Sequence, residues 1–442
     1  MPPSRPAYRQ KQFSLLFFLL FALLSLNGCD YVGFYTQQAH RHQTYRYFPS
    51  VAALNQIDPE NSMILRGPIK RLQKQNEPLL LVAVCSKYQQ NEKVDLVQIP
   101  VSTDTYMAFL PVGSYDLYVF ADLDGDGDFE SEELVGKASV IVNPEQSRNR
   151  AIIEGPAIIV DREHPGEVAF RVHEKVRPTT YVYASLDDEF FDPRYGNTGL
   201  YNPSQLIEHT QGFVFGLENF DAKKTTVLFV HGISGTPRDW KYLVAGMDRS
   251  RFQPLFFYYP SGLRLDTMGS LLAEVIRDID KNAKEGGRRI VLVGYSMGGL
   301  VALSAINKLS EGMFPSSLKM FCSFSTPYGG DENAEKGVEN APVVVPVWRD
   351  IATKSEFLQT LTGKPFPKQL PYYLFFSYHE TSRFNLGESS DGTIMLRSQL
   401  TPYAQKSATK IMGFDETHTG ILNNDGVRQS FNQLLDTITA AP

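Results

Sequence analysis

The sequence predicts an α/β protein: a mostly parallel central sheet covered by helices on both faces, preceded by a small all-β sandwich. Three observations lead there. From about residue 175 onward, apolar runs of strand length alternate with segments of helical period. Between about 63 and 165, short β-branched or aromatic runs follow one another with no helix-period stretch between them. The run Ile290-Val291-Leu292-Val293 leads directly into Gly294-Tyr295-Ser296-Met297-Gly298, a strand entering a G-x-S-x-G turn.

The N-terminus carries Arg5, Arg9 and Lys11 and no acid among its first 11 residues, then a nearly unbroken apolar stretch from Ser14 to Leu26. A basic start and a short apolar core describe an export signal, and 13 residues are few for a membrane span. Leu26-Asn27-Gly28-Cys29 resembles the bacterial lipobox. That resemblance implies a signal peptide over 1–28, a lipidated Cys29 and a chain held against a membrane outside the cytoplasm; an uncleaved anchor with an incidental cysteine is the alternative. Several acyl chains on one cysteine hold far better than one. Asp30 resembles the inner-membrane retention residue of Gram-negative lipoproteins, which favours the periplasmic face of the inner membrane over the outer membrane. Residues 29–62 then read as the lipidated cysteine and a tether.

At 442 residues the chain is too long for one core, so two domains are expected. It has 43 Lys and Arg against 49 Asp and Glu, a net charge of −6, and no long basic tract, so nucleic acid is not an expected partner. Apart from Cys29 the cysteines are Cys85 and Cys322, both in strand-like apolar runs. They read as buried free thiols, with a disulfide between them open in an oxidising compartment.

The first domain, 63–165, takes its strands from Leu79 to Cys85, Val94 to Pro100, Tyr106 to Pro111, Tyr115 to Ala121 and Ala138 to Val142. Pro111-Val112-Gly113-Ser114-Tyr115 and Tyr118-Val119-Phe120-Ala121-Asp122 resemble the small transthyretin-like or carboxypeptidase-regulatory-like modules of exported proteins. Asp122, Asp124, Asp126, Asp128 and Glu133 follow, with acids at loop positions 1, 3, 5 and 12 and Gly127 at position 6. This is the spacing with which alternate oxygens wrap a calcium ion. The loop reads either as a structural calcium site or as an acidic, solvated turn.

The second domain, 175–442, supplies strands at Thr225 to Val230, Pro254 to Tyr259, Arg289 to Val293, Leu318 to Phe324, Tyr372 to Tyr378 and Thr409 to Gly413, with an edge strand near Gly212 to Phe215. Helices fall at Arg238 to Met247, Asp266 to Lys284, Met297 to Leu309 and Val427 to Ile438. In the second of these Met268, Leu271, Leu272, Val275, Ile276 and Ile279 share one face.

This order of pieces resembles the α/β-hydrolase superfamily over roughly 212–442, nearest its lipase-like and esterase-like members. The resemblance implies a serine hydrolase. Ser296 in the turn is its nucleophile and needs a base, since a serine hydroxyl is weak alone. His418, in the loop past the last strand, is that base. Asp391 in Ser389-Ser390-Asp391-Gly392-Thr393-Ile394 resembles the lipase S-D-G-x-V segment and is the acid that orients the imidazole; Asp415 is its rival. His231-Gly232-Ile233-Ser234-Gly235-Thr236 resembles the lipase H-G loop, implying an oxyanion hole from the amides of Met297 and Ile233. Ser325-Thr326-Pro327-Tyr328-Gly329-Gly330 resembles T-P-H-x-G, with tyrosine in place of histidine. His231, Gly232, Tyr295 and Tyr328 are accordingly expected at the substrate pocket.

Residues 331–370 form an insertion where this superfamily carries lids and caps. Its apolar run Ala341 to Trp348 lines an acyl pocket, faces a bilayer or packs on the core. The implied activity is cleavage of carboxylic esters, lipidic ones given the membrane tether, through an acyl-enzyme and with no cofactor required. Acyl transfer, thioester or amide cleavage would use the same residues, and a scaffold that kept the fold without catalysis is the alternative of another class.

Overall fold

The computed structural model describes residues 30–36, 38, 62–73, 79–85, 93–99, 104–125, 128–143, 152–163, 168, 172–173, 185–210, 212–281, 289–379 and 389–439. The expected signal peptide, Cys29, Asp126 and Gly127 lie outside these residues, as do the side chains of Cys85 and Asp128. The chain divides into two compact units, Arg41–Tyr181 and Val182–Pro442, the latter including the residues before Arg41.

The first unit is built on two four-stranded sheets. One contains β1 (Ser62–Arg71), β4 (Thr105–Pro111), β8 (Ile152–Glu154) and β9 (Ile158–Val160); β1 pairs with all three. The other runs β3 (Lys93–Ile99), β2 (Leu79–Cys85), β5 (Gly113–Ala121) and β7 (Leu134–Val142), antiparallel throughout. Leu65 and Ile69 of β1 share a core with Leu79, Leu81, Leu117 and Val119 of the second sheet. The opposite face of β2 is buried too, because Leu80, Val82 and Val84 meet Phe120, Phe129 and Leu134. Phe129 belongs to β6 (Asp128–Phe129), which pairs with β10 (Val172–His173). The loop between β5 and β7 is thereby folded back over its own sheet.

The second unit holds a seven-stranded sheet in the order β11 (Val214–Gly216), β13 (Phe252–Phe257), β12 (Thr225–Val230), β14 (Ile290–Tyr295), β15 (Leu318–Phe324), β16 (Tyr372–Tyr378) and β17 (Lys410–Asp415). Only β11 is antiparallel. Every residue of β12 and β14 is buried, as a strand covered on both faces must be. Phe431 of helix Asp425–Thr439 and Trp240 pack on Phe229 of β12, while helices Leu265–Lys281 and Met297–Leu309 pack on each other. All six parallel strands end on one edge of the sheet, where ligands bind in open α/β sheets.

Among the differences from the sequence expectation, two concern short helical stretches. Residues 30–36, within the expected tether, form a helix, and it belongs to the second unit: Tyr31 stacks on Trp348 at 6.0 Å, its hydroxyl donates to Val343 O (3.1 Å), and Phe34 meets Tyr201. The predicted helix 238–247 is a 3₁₀ turn, Pro237–Trp240, followed by a short α-helix, Lys241–Ala245. Among the described residues no helix is long and apolar enough to cross a membrane.

Candidate active site

The G-x-S-x-G turn follows from contacts that leave no room for a Cβ. A methyl on Gly298 would sit 2.2 Å from Val230 O and 2.3 Å from His231 O, and one on Gly294 would sit 2.6 Å from Gly299 Cα. Helix Met297–Leu309 can therefore start hard against the ends of β12 and β14. Ser296 sits between them at φ 51, ψ −128, a conformation a serine rarely adopts. Its N–H donates to Phe324 O (2.7 Å), which ties the strained residue to the neighbouring strand.

His418 and Asp391 arrive from the ends of β17 and β16. His418 Nε2 lies 2.9 Å from Ser296 Oγ and His418 Nδ1 lies 2.7 Å from Asp391 Oδ2. All three residues are buried, with Asp391 at 1% exposure. Two further bonds hold the histidine loop: His418 N–H donates to Asp391 O (2.9 Å) and the Tyr295 hydroxyl to His418 O (3.0 Å). Burial alone would raise the Asp391 pKa, but the bond and charge of His418, the Ile394 N–H and the Ser377 hydroxyl together hold it below its ordinary value. Asp415 is elsewhere, facing exposed His379 at 3.1 Å.

Two residues that sequence reasoning missed complete the acid's surroundings. Asp391 Oδ2 also accepts from Ser377 Oγ (2.7 Å) and Gln399 Nε2 (3.0 Å), while Oδ1 accepts from the amides of Thr393 (3.0 Å) and Ile394 (2.7 Å). Gln399 is itself fixed by Ser377, accepting its N–H (3.1 Å) and donating to its carbonyl (3.0 Å). Because Ser377 gives its one hydroxyl proton to Asp391, the 2.6 Å contact with Ser325 Oγ has Ser325 as donor. Ser325 is also at positive φ, 46.

A cleft of about 400 Å³ opens at Ser296 and His418, walled by Ile233, Met297, Pro327, Ile351, Ile394 and Leu422, with Tyr295 also in its lining. In the loop after β12 the Ser234 N–H is engaged by Ser261 Oγ (3.1 Å) and the Gly235 N–H by Gly232 O (3.2 Å). Neither is free for a substrate oxygen, which leaves Ile233 as the loop residue lining the cleft whose amide carries neither bond.

Three expected pocket residues are not in the lining of that cleft. His231 is buried as a strut: its Nε2 accepts from Tyr259 N–H (3.2 Å), so Nδ1–H donates to Gly232 O (2.8 Å). Burial lowers its pKa to about 4, and the ring stays neutral. Gly232 lies beneath the serine, where a Cβ would meet Ser296 Cβ at 3.1 Å. Tyr328 turns into the core and its hydroxyl accepts from Tyr372 (2.7 Å).

The insertion forms helices Glu332–Asn340, Pro346–Ile351 and Glu356–Gly363. Val345 and Val347 are fully buried, so this part packs on the core, while Ile351 reaches the cleft. Asp350 fixes it: at 1% exposure it accepts from Arg264 Nε (2.8 Å) and from the Leu265 N–H (2.7 Å) at the start of helix Leu265–Lys281. A second groove of about 740 Å³ adjoins the cleft at Asp331, Thr393 and Ile394 and is lined by Glu332, Glu335, Lys336, Glu339, Lys354 and Arg397. It does not include Ser296 or His418.

Asp239 also lines the cleft, and burial pushes its carboxyl up to about 6, against the Thr236 N–H it accepts. A raised pKa means the folded state holds this proton more tightly. The group's contribution to stability is thus full below its ordinary value of 3.8 and is lost as pH rises through about 6. Asp239→Asn keeps an acceptor for Thr236 and removes the titration. Melting temperatures should show the variant gaining on the parent as pH rises across that window; a difference independent of pH would exclude the assignment.

Residues 221–364 match the family model described as "Putative serine esterase (DUF676)". The match contains Ser296 and the loop after β12 and stops before Asp391 and His418. No curated protein matches the chain. Among solved structures it is similar to the Bacillus licheniformis lipase BlEst2 in its mature form, at 19% identity over 50% of this chain and 98% of that one, with a TM-score of 0.40. It is also similar to Aspergillus fumigatus lipase B, at 14% identity over 54% of this chain and 59% of that one, with a TM-score of 0.40.

Proposed function

We propose that the chain is a serine hydrolase of carboxylic esters, held at a membrane through Cys29 and acting on amphiphilic, lipidic substrates. The observation that carries the reading is the continuous bonded line Ser296–His418–Asp391 at the mouth of the cleft. His418 Nε2 takes the Ser296 proton as Oγ attacks the acyl carbon. The amides of Met297 and Ile233 receive the oxygen that becomes negative. The imidazolium then protonates the leaving alcohol, and the acyl group remains on Ser296. A water gives its proton to His418 and attacks the acyl-enzyme; the acid leaves and the serine is restored. Asp391 keeps the proton on Nδ1 throughout, which leaves Nε2 free to accept.

The substrate class is supported by the walls. The apolar side of the cleft, formed by Ile233, Met297, Pro327, Ile351, Ile394 and Leu422, suits an acyl chain, and the ionisable groove beside it suits a polar head. The helix over 30–36 packs on Trp348, one turn from Ile351 of the cleft. A lipid on Cys29 would thus start beside the elements that wall the cleft.

Fluorophosphonate labelling and p-nitrophenyl esters of rising chain length test the chemistry. Octanoyl ester should exceed acetyl ester in kcat/KM by about tenfold or more, since each buried methylene adds binding. Absence of labelling in folded protein would sink the hydrolase reading, and a preference for acetate would sink the lipidic one. For the anchor, Cys29→Ser should release the chain from membranes and lower turnover of vesicle-embedded esters while leaving short soluble esters unchanged. Retention in the membrane fraction would contradict lipidation.

A further inference from the structure

We propose that the loop from Asp122 to Glu133 binds a calcium ion through the carboxylates of Asp122, Asp124 and Glu133, stapling β5 to β7. One carboxylate oxygen from each of these three residues lies within 4.8 Å of those of the other two. The sequence separates them as positions 1, 3 and 12 of a twelve-residue loop, with Asp126 at 5 and Glu130 at 9, the spacing with which oxygen ligands wrap this ion. The side chain of Asp126 lies outside the described residues, and the geometry below does not use it.

The independent sign of a ligand is Glu133. It is 6% exposed, at the end of the 3₁₀ turn Ser131–Glu133. Its Oε1 accepts from the Leu123 N–H (2.6 Å), and its Oε2 is buried with no hydrogen-bond partner. A buried carboxylate oxygen without a donor is costly. Three carboxylates held together, one of them with a buried oxygen that lacks a donor, is an arrangement that a cation relieves.

The fold holds the cluster together for reasons unrelated to its charge. Phe129 inserts in the core against Phe120, pinning the middle of the loop. Gly125 at φ 80 makes the tight bend, and its N–H donates to Asp122 Oδ1 (2.8 Å). The turn Ser131–Glu133 then brings Glu133 back to the start of the loop just before β7 begins. All three donors are carboxylate oxygens, which suits calcium and disfavours zinc or copper; a loop crowded with carboxylates suits calcium better than magnesium, which keeps several waters.

The test is calorimetric titration of the EDTA-treated full chain in detergent with calcium chloride and magnesium chloride, alongside thermal melts. Calcium should bind once per chain with a Kd on the order of 10⁻⁴ M, as in extracellular modules, and raise the melting temperature by about 3 °C at saturation. Magnesium should not replace it. Asp124→Asn, at an exposed residue, should weaken binding about tenfold or more with the fold unchanged. Glu133→Gln should abolish binding. In EDTA it should also melt above the parent, because an uncompensated buried charge is gone, while in calcium it should melt below. A folded parent giving no heat up to millimolar calcium, or variants binding as tightly as the parent, would overturn the proposal. So would a Glu133→Gln variant that melts below the parent in EDTA and in calcium alike.

Discussion

Ser296→Ala should abolish fluorophosphonate labelling and lower kcat for esters by a factor on the order of 10⁵, with KM for the same ester nearly unchanged. The size follows from geometry. Ser296 Oγ is the atom that His418 Nε2 faces at 2.9 Å at the mouth of the cleft. Under the proposed mechanism, removing it removes the covalent path and leaves the binding cleft and the two proposed oxyanion amides in place. Stability should move little. Alanine has the same Cβ as serine, so the strain at φ 51 is neither added nor relieved. The N–H bond to Phe324 O is a backbone bond and survives. The one loss is the hydroxyl partner of His418, whose Nδ1 bond to Asp391 remains. A melting temperature within about 2 °C of the parent is expected. Measured together, labelling, kcat and melting separate a lost nucleophile from a lost fold. Phosphonylation that persists in Ser296→Ala would place the reactive residue elsewhere and end the assignment.

How much of this was legible in the sequence depended on what each residue answers to. Ser296, Asp391 and His418 could be read because the proposed chemistry asks for their types in that chain order, and the structure brings their side chains into one bonded line. The turn around Ser296 was legible for a steric reason, since only glycine fits at 294 and 298. Ser377 and Gln399 answer to neither demand. Ser377 is the one serine inside the aromatic strand Tyr372–Tyr378, and Gln399 ends a four-residue helix. They meet Asp391 through folding alone, which no local pattern records. The strand Ser62–Arg71 was missed because Arg66, Gly67 and Pro68 break its apolar run; its register with Thr105–Pro111 supplies what its composition does not. The helix over 30–36 was hidden by its brevity, two turns being too few to display a period. Tyr328 shows the limit of motif reading: the segment fixes where the backbone goes, while the neighbours Tyr372 and Ser323 decide which way the ring points.

Asp391→Asn should lower kcat by a factor on the order of 10⁴ while leaving the backbone in place, and the reason is a conflict of donors. Asparagine can keep its oxygen toward the amides of Thr393 and Ile394, the two bonds that shape the turn. Its NH₂ then stands where Oδ2 stood, facing His418 Nδ1, Ser377 Oγ and Gln399 Nε2, all of which donate to Asp391 in the parent. The imidazole can relieve this only by moving its proton to Nε2, and an Nε2–H cannot take the Ser296 proton. The remaining clash with Gln399 should cost about 1–3 kcal/mol of stability. Gln399→Leu is the control, since it removes one donor and leaves the carboxylate and the tautomer intact; its kcat should fall by less than about tenfold. Acid behaviour gives a second reading. Asp391 has a depressed pKa in the folded protein, so its contribution to stability is present above its ordinary value of 3.8 and is lost as pH falls through the lower folded value. The parent should therefore lose this contribution on acidification below that range, whereas Asp391→Asn should show no such dependence. If Asp391→Asn keeps its rate within tenfold of the parent, another acid orients His418, and the chain Ser325–Ser377–Asp391 serves the fold alone.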